Sequence, residues 1–406
     1  MLSYIINLLP EFIQKAYYQK VRIVFNDILE KADIRINGNR DQDIKTEAYD
    51  LLIKEVAQKG ELGFMEAYKE EKWKCRNLTE LFERLMKANA TERVKTWSEY
   101  FQQLSNYLIN YQTLEKSKEV VNIHYNLGNQ FYKKMLGPTM QYSCAYWKDL
   151  EVKPENLTQA QLNKLDLIAH KLYLKKINKK EEVGKENGER VLDIGCGFGS
   201  LCYHFVTNYE VKEMIGVTLS EEQYKYCIEN YKEEIKSGKL KFMLCDYRQL
   251  PNDLGYFDKI VSVGMFEHVG VKNYGIYSEV VEKHLTMDGI FLLHTIGKQV
   301  DSYKSSAFIR KYIFPNGQLP TCKEITASFS DKFIMEDWHN FGIDYAYTLN
   351  AWYNRFDKNR FKEEKMNRLW ELYLKSCEAA FKTRNTQLWQ IVFTKRGYGQ
   401  RYISVR

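Results

Sequence analysis

Residues 190–199, with the sequence RVLDIGCGFG, constrain the fold more than any other stretch of the chain. Their apolar residues followed by Asp193 predict a buried strand that runs directly into a glycine-rich turn. Gly195, Gly197 and Gly199 lack the Cβ atoms that would keep backbone away from a bound nucleoside. The spacing G-x-G-x-G departs from the G-x-G-x-x-G of dinucleotide-binding proteins. The turn therefore favours the amino-acid part of S-adenosylmethionine, with an ordinary tight turn as the alternative.

Strands and helices alternate after this turn, which predicts a doubly wound, mostly parallel α/β sheet with ligands at the carboxyl ends of its strands. The predicted strands are 191–194, 213–218, 241–244, 259–263, 290–296 and 387–395, and the predicted helices include 200–208 and 221–237. Residues 297–385 are aromatic-rich and mostly helical in pattern, and we expect them to form a substrate-pocket insertion. We place a small α+β domain at 1–110 and the catalytic domain at 111–406.

The bulk composition is that of a globular protein with about two domains. The chain has 406 residues, and hydrophobic residues make up 44% of it. Its eight cysteines contain no C-x-x-C pair, which disfavours a zinc site or a disulfide framework and favours a reducing cytosol. The net charge of +7 favours anionic partners, such as membrane head groups or nucleic acid. Residues 1–20 could contact a membrane or pack against their own domain.

The ends of the next three predicted strands supply candidate ligand-binding side chains. The second strand lacks the usual acid for the ribose hydroxyls. Thr218 and Gln223 can bind these hydroxyls instead, or Thr218 and Ser220, on either side of Leu219, can cap the following helix. The third strand ends in Asp246, Tyr247 and Arg248, which suit the adenine edge. The fourth ends in Glu267 and His268, at the sheet edge where chemistry is expected.

Ordered motifs across nearly the whole chain closely resemble the cyclopropane-fatty-acyl-phospholipid synthases, relatives of the mycolic-acid cyclopropane synthases. The motifs are 141–147 (QYSCAYW), 191–199 (VLDIGCGFG), 261–270 (VSVGMFEHVG), 291–297 (FLLHTIG), 311–317 (KYIFPNG), 335–342 (MEDWHNFG) and 387–393 (QLWQIVF). In the N-terminal region the resemblance includes 34–38 and 60–68. It implies a Rossmann-like class I methyltransferase fold with a seven-stranded sheet.

The resemblance also implies a reaction, in which the methyl of S-adenosylmethionine is added across a cis double bond of a phospholipid acyl chain and a cyclopropane ring closes. A bound bicarbonate ion is implied as the proton acceptor, held by Cys144, Glu267, His294, Ile296 and Tyr345. Cys377 matches a cysteine often treated as catalytic, although a mid-helix cysteine on an apolar face is usually core. The implied cofactor contacts are Tyr142, Ser143, Asp193, the 195–199 turn with Cys196, residues 218–223 and residues 246–248; no metal is implied.

The implied partners are a phospholipid bilayer surface, with the protein cytoplasmic and peripheral to it, and a second copy of the chain joined through an N-terminal lipid-binding domain. Three alternatives stay open: a methyltransferase that makes methyl-branched chains, one that methylates an amine, and a lipid-binding relative without activity. A nucleic-acid methyltransferase is disfavoured, because the chain has no polar motif of the Asn-Pro-Pro-Tyr kind for a flipped base.

Overall fold

The computed structural model describes residues 10–89, 112, 128–178, 188–299 and 306–406. The first nine residues of the candidate membrane segment and the expected boundary at 110/111 lie outside these ranges. The helices are α1 (Glu11–Lys31), α2 (Tyr49–Lys59), α3 (Glu61–Lys69), α4 (Leu78–Lys87), α5 (Asn129–Leu136), α6 (Leu157–Lys171), α7 (Ser200–Asn208), α8 (Glu221–Asn230), α9 (Lys232–Lys236), α10 (Tyr274–His284), α11 (Ala307–Tyr312), α12 (Cys322–Phe329), α13 (Gly342–Asp357) and α14 (Glu364–Lys382). The strands are β1 (Glu189–Ile194), β2 (Val211–Thr218), β3 (Leu240–Leu244), β4 (Phe257–Val263), β5 (Leu285–Gly297), β6 (Phe333–Asn340) and β7 (Gln387–Lys395).

The chain forms two compact units. The first comprises Met1–Asn110, Ser302–Pro315 and Trp352–Thr386, and the second comprises Tyr111–Asp301, Asn316–Ala351 and Gln387–Arg406. The expected 297–385 insertion is therefore divided, because parts of it pack with the N-terminal helices and the rest packs with the sheet.

Buried polar contacts explain why α14 belongs to the first unit. The Arg368 side chain donates to the main-chain carbonyls of Tyr68 and Trp73 at 2.6 and 2.9 Å. The Thr79 hydroxyl donates to the Glu378 carboxylate at 3.1 Å. These residues are far apart in the sequence, so their contacts could not be predicted from it. In the described part of this unit, strand pairing is limited to isolated bridges, so it is more helical than the expected α+β domain.

The second unit is built on a seven-stranded sheet in the order β3-β2-β1-β4-β5-β7-β6. Strands β1 to β5 run parallel, and β7 lies antiparallel between β5 and β6. This confirms the predicted α/β class with a mostly parallel sheet. The order reverses between β1 and β4, which places a ligand crevice outside the carboxyl ends of the strands there.

Local details of this sheet differ from the sequence prediction. Strand β6 lies within the segment that we expected to be mostly helical, and it pairs with β7 at the sheet edge. The predicted helix 221–237 is two helices, broken at Tyr231, where φ is −120° and ψ is 37°. Among the described helices, none is both long enough and apolar enough to cross a bilayer.

Candidate active site

The glycine turn follows β1 and is fixed by backbone hydrogen bonds. The main-chain N–H groups of Gly195 and Cys196 both donate to the Val217 carbonyl at 2.9 Å. All three glycines of the turn have positive φ, at 90°, 55° and 76° in chain order. A Cβ at Gly199 would lie 2.8 Å from the ring of Phe242, whereas one at Gly197 meets no described atom within 4 Å. Only Gly197 faces open space, so the other two glycines serve internal packing.

Asp193, the last acid before this turn, is buried with one of its oxygens unsatisfied. Its Oδ2 accepts a hydrogen bond from the Cys202 thiol at 3.5 Å, and Oδ1 has no partner within the described ranges. Burial raises the pKa of Asp193 to about 7. The Asp193 carboxyl group is thus buried at the start of the turn. It needs a positively charged neighbour to stay ionised at neutral pH.

The end of β2 forms a closed hydrogen-bond set that caps α8. The Thr218 hydroxyl donates to Oε1 of Gln223 at 2.8 Å, and the main-chain N–H of Gln223 donates to the Ser220 hydroxyl at 3.3 Å. This confirms the capping interpretation. The amide nitrogen of Gln223 donates to none of the residues described, so a ribose hydroxyl remains a predicted partner. Leu219 is half-buried between the two polar residues.

At the end of β3, Asp246 and Arg248 bind each other. The Arg248 guanidinium donates to both carboxylate oxygens of Asp246, at 2.8 and 2.7 Å, and its main-chain N–H donates as well. The ring of Tyr247 packs at 5.2 Å from that of Tyr277. The Asp246 carboxylate already accepts these hydrogen bonds from Arg248. A hydrogen bond from adenine, as predicted, would have to share the carboxylate oxygens with Arg248.

Segment 142–147 is attached to α6 and α13. The main-chain carbonyl of Ser143 accepts from Gln161 at 2.9 Å, and the Ser143 hydroxyl accepts from the Lys164 ammonium at 2.9 Å. The Tyr142 ring lies 5.7 Å from that of Tyr132. The Cys144 thiol is fully buried and donates to the Ala145 carbonyl at 3.1 Å.

Burial raises the pKa of the Cys144 thiol well above its usual value, and the neighbouring carboxyl group of Asp344 adds to this rise. A buried neutral thiol cannot serve as a nucleophile at neutral pH. This supports the packing interpretation of Cys144 against the nucleophilic one.

Glu267 lies on a 3₁₀ turn after β4, and its carboxyl group is buried. Its Oε1 accepts from the main-chain N–H of Ile296 at 2.7 Å, while its buried Oε2 has no partner among the residues described. Burial raises the pKa of Glu267 to about 7, against the opposing effect of the Ile296 N–H. Glu267 can therefore take up a proton near neutral pH.

His294 lies two residues before Ile296 on β5, so both side chains are on the same face of that strand. Gln390, its partner in register on β7, approaches Nδ1 of His294 with its amide nitrogen at 3.3 Å. With the amide donating, Nδ1 is the acceptor and the proton resides on Nε2. That Nε2 is buried and has no partner in the described part of the chain. Desolvation holds the pKa of His294 well below its usual value, so the ring is neutral.

The N-terminal part of α13 completes this side of the site. Tyr345 is 8% exposed there, and the Thr348 hydroxyl, one turn later, accepts from the Ala145 main-chain N–H at 3.1 Å. The Asp344 carboxylate accepts from the Trp147 N–H at 2.8 Å. These contacts connect the segment of Cys144 with the helix of Tyr345.

The structure thus groups most predicted catalytic residues in the sheet-containing unit and changes the role of two. Ile296 uses its main-chain N–H to hold Glu267, so that N–H is not available to a bound anion. Cys377 lies on α14, in the first unit, and burial raises the pKa of its thiol to about 12. Such a thiol is neutral near pH 7, which favours the core interpretation of Cys377 over the catalytic one.

Sequence reasoning missed two buried polar residues of α6, Gln161 and Lys164. Both lie on the same side of the helix as Leu157, Leu165 and Ile168. A signal was available, since glutamine and lysine are rarely found in the centre of an apolar helix face without a partner. Gln390 and Thr348 gave no comparable signal.

Comparisons with known proteins identify the family of this chain. The family model described as mycolic acid cyclopropane synthetase matches residues 112–391. The cyclopropane-fatty-acyl-phospholipid synthase of Escherichia coli (strain K12) is 42% identical over 378 residues, which cover 92% of this chain and 93% of that protein.

Two solved structures are similar over the same part of the fold. The cyclopropane synthase MmaA2 from Mycobacterium tuberculosis has a TM-score of 0.61 at 27% identity, covering 68% of this chain and 98% of that one. The mycolic acid cyclopropane synthase CmaA1, complexed with SAH and CTAB, has a TM-score of 0.58 at 27% identity with the same coverage.

Proposed function

Because the chain belongs to the mycolic acid cyclopropane synthetase family, we propose that it forms cyclopropane rings on the unsaturated acyl chains of phospholipids. The family predicted from the sequence is confirmed, and the protein is an S-adenosylmethionine-dependent methyltransferase. S-adenosylmethionine would supply the electrophilic methyl group. The open face at Gly197 suits its amino-acid part, and the amide nitrogen of Gln223, which donates to no described residue, suits its ribose part.

The observation that carries the ring-forming reaction is the buried Oε2 of Glu267, beside the strand that bears His294. Attack by an alkene on a methyl group needs no base, but it creates a carbocation. Closing the ring then requires the loss of a proton from the added methyl. A dry site with a carboxylate stabilises the cation and excludes water that would trap it. A carboxyl group with a pKa of about 7 is also suited to receive the proton.

Bicarbonate fits the unpartnered groups of this site. His294 presents an Nε2–H donor, and Glu267 presents an Oε2 acceptor for the hydroxyl of the ion. We infer that these two groups, with the Tyr345 hydroxyl, would hold it. Its oxygen would be available to the methyl proton, and Glu267 would in turn take up the hydroxyl proton of the ion. Ile296 would act indirectly by orienting Glu267, and Cys144 would line the site as a neutral thiol.

Isotope labelling tests the reaction directly. The protein is incubated with cis-unsaturated phospholipid vesicles and S-adenosylmethionine whose methyl group is fully deuterated, and the fatty acids are analysed by mass spectrometry and proton NMR. Ring closure removes one deuteron from the methyl, so the product retains the other two and shows cyclopropane resonances. Saturated methyl branches that retain every deuteron, or lipids without label, would contradict the proposal.

Variants of Glu267 test the proposed base. Glu267→Gln preserves an acceptor for the Ile296 N–H but cannot take up a proton, so we expect the ring-forming rate to fall at least about 100-fold. Glu279→Gln, an exposed change on α10, is the matched control and should retain the wild-type rate. Comparable activity of the two variants would remove Glu267 from the mechanism.

We also infer peripheral binding to a bilayer through α1. Phe12 and Ile23 are 74% and 61% exposed. They are eleven positions apart and so lie within about 20° of each other around the helix. The exposed Lys15 and Lys20 lie about 60° and 80° to either side of this line. Apolar side chains flanked by lysines suit the interface of an anionic bilayer.

Sedimentation with anionic phosphatidylglycerol vesicles tests this surface. Replacing Phe12 and Ile23 by serine should reduce the bound fraction several-fold, whereas Ile403→Ser, which changes a residue 67% exposed in the C-terminal segment, should not. Equal binding of the two variants would argue against α1 as the membrane-binding surface.

Homodimer formation stays a prediction, and light scattering of the free protein tests it.

A further inference from the structure

Lys164 is a buried lysine that the proposed chemistry does not use. It is 1% exposed, and within the described residues its ammonium makes one hydrogen bond, to the Ser143 hydroxyl at 2.9 Å. An ammonium carries three donors, and burying it without full pairing costs free energy. The fold gains little from this arrangement, which points to a role of Lys164 in ligand binding.

The charged and titratable groups around Lys164 come from three elements. They are Asp193 at the end of β1, Cys144 in the segment before α6, and His294 on β5. Burial lowers the pKa of Lys164 to about 7, while the nearby Asp193 favours its charged form. Asp193 is therefore the natural counter-charge of the lysine, which is bonded to Ser143.

The hydrogen bond to Ser143 has a directional consequence. A charged ammonium can only donate, so the Ser143 oxygen must accept from it. The hydroxyl proton of Ser143 then has to point elsewhere, and no described residue accepts it. Ser143 is fixed further by Gln161, which holds its main-chain carbonyl at 2.9 Å. The result is an oriented donor without an acceptor in a segment expected to contact the cofactor.

We propose that Lys164 is a positioning residue for the methyl donor: it turns the Ser143 hydroxyl into a directed donor for the carboxylate of the cofactor's amino-acid part. The inference rests on the proposed binding of S-adenosylmethionine. The carboxylate is the negatively charged acceptor in that ligand, and its arrival further stabilises the lysine cation behind Ser143. The adenosine part of the ligand gains nothing from Lys164.

Calorimetric binding of two ligands tests this without relying on activity. S-adenosylhomocysteine carries the amino-acid carboxylate, whereas 5′-methylthioadenosine lacks the whole amino-acid part. Lys164→Met, which retains the apolar stem, should weaken binding of S-adenosylhomocysteine by about 10- to 100-fold. Its affinity for methylthioadenosine should stay within about 2-fold of the wild type, since the adenosine contacts are unchanged. Equal weakening of both ligands would indicate a merely structural role and overturn the proposal.

Ser143→Ala provides a second variant that leaves the buried charge in place. It should reproduce the selective loss of S-adenosylhomocysteine affinity. Adding Lys164→Met to it should cause little further loss, because one change removes the donor and the other only its orientation. Unchanged S-adenosylhomocysteine affinity in either single variant would also refute the role of Lys164. A wild-type protein that binds neither ligand would instead refute the proposed function.

Discussion

The Glu267→Gln variant should differ from the wild type in how its stability depends on pH. Burial raises the pKa of this carboxyl group from 4.5 to about 7, so the fold disfavours the ionised form by about 3 kcal/mol. Because the native pKa is raised, the protonated carboxyl group leaves stability undiminished below pH 4.5. Stability is then lost as the pH rises through 7, since the unfolded chain ionises freely and the native carboxyl group does so only at a cost. The glutamine variant has no such titration.

The expected magnitude follows from these two pKa values. Between about pH 5 and pH 8, the wild type should lose roughly 2–3 kcal/mol of unfolding free energy relative to Glu267→Gln. The variant buries an amide N–H₂ in place of the unpartnered Oε2, at a cost of about 1–3 kcal/mol that does not change with pH. The pH dependence of the difference therefore isolates the carboxylate, whatever the constant offset.

Hydrogen exchange of β5 peptides across a urea series measures the opening of the sheet-containing unit separately from the other unit. The measurements are made without cofactor and in bicarbonate-free buffer, because either ligand would stabilise the native state. Glu279→Gln serves as the exposed control and should follow the wild type at every pH. A difference between Glu267→Gln and wild type that stays constant within about 0.5 kcal/mol would show that Glu267 ionises normally, and would refute the reasoning.

Four further variants test other parts of the molecule. Gly199→Ala should lose roughly 3 kcal/mol of stability in thermal unfolding, because its Cβ would meet a ring at 2.8 Å. Gly197→Ala should lose only about 1–2 kcal/mol but should bind S-adenosylhomocysteine at least about 10-fold more weakly, as calorimetry can measure. Asp337→Asn removes the buried carboxylate 3.3 Å from Lys171 and should lower thermal stability by about 3–5 kcal/mol. Arg368→Met should speed hydrogen exchange in α14 and leave β5 unchanged, since its acceptors belong to the first unit.

Contrary results are equally specific. Similar stability losses in the two glycine variants would mean that Gly197 also faces protein atoms. An Asp337→Asn protein as stable as the wild type would mean that the lysine sheds its charge at little cost. Faster exchange of β5 in Arg368→Met would mean that the two units open together.

The sequence predicted the candidate site unevenly, and the reasons are physical. The end of each parallel strand is a fixed position, so the strand pattern alone places Thr218, Asp246 and Glu267 at one edge of the sheet. Which donor serves which acceptor depends on distances of a few tenths of an ångström. The sequence therefore could not show that the Ile296 N–H is taken by Glu267, or that Arg248 occupies Asp246.

By itself, the sequence determined the α/β class, the strand–turn that begins the cofactor site, and the family, because these depend on local periodicity, on glycines with positive φ and on ordered motifs. Only the tertiary structure decided which unit each helix joins and which polar atoms are left without partners. The division of the 297–385 segment, the place of Cys377 in the first unit and the buried position of Lys164 all depend on contacts between residues far apart in the chain. Burial then sets the chemistry, since the same glutamate in water would have an ordinary pKa and would be a much weaker base than a group with a pKa of about 7.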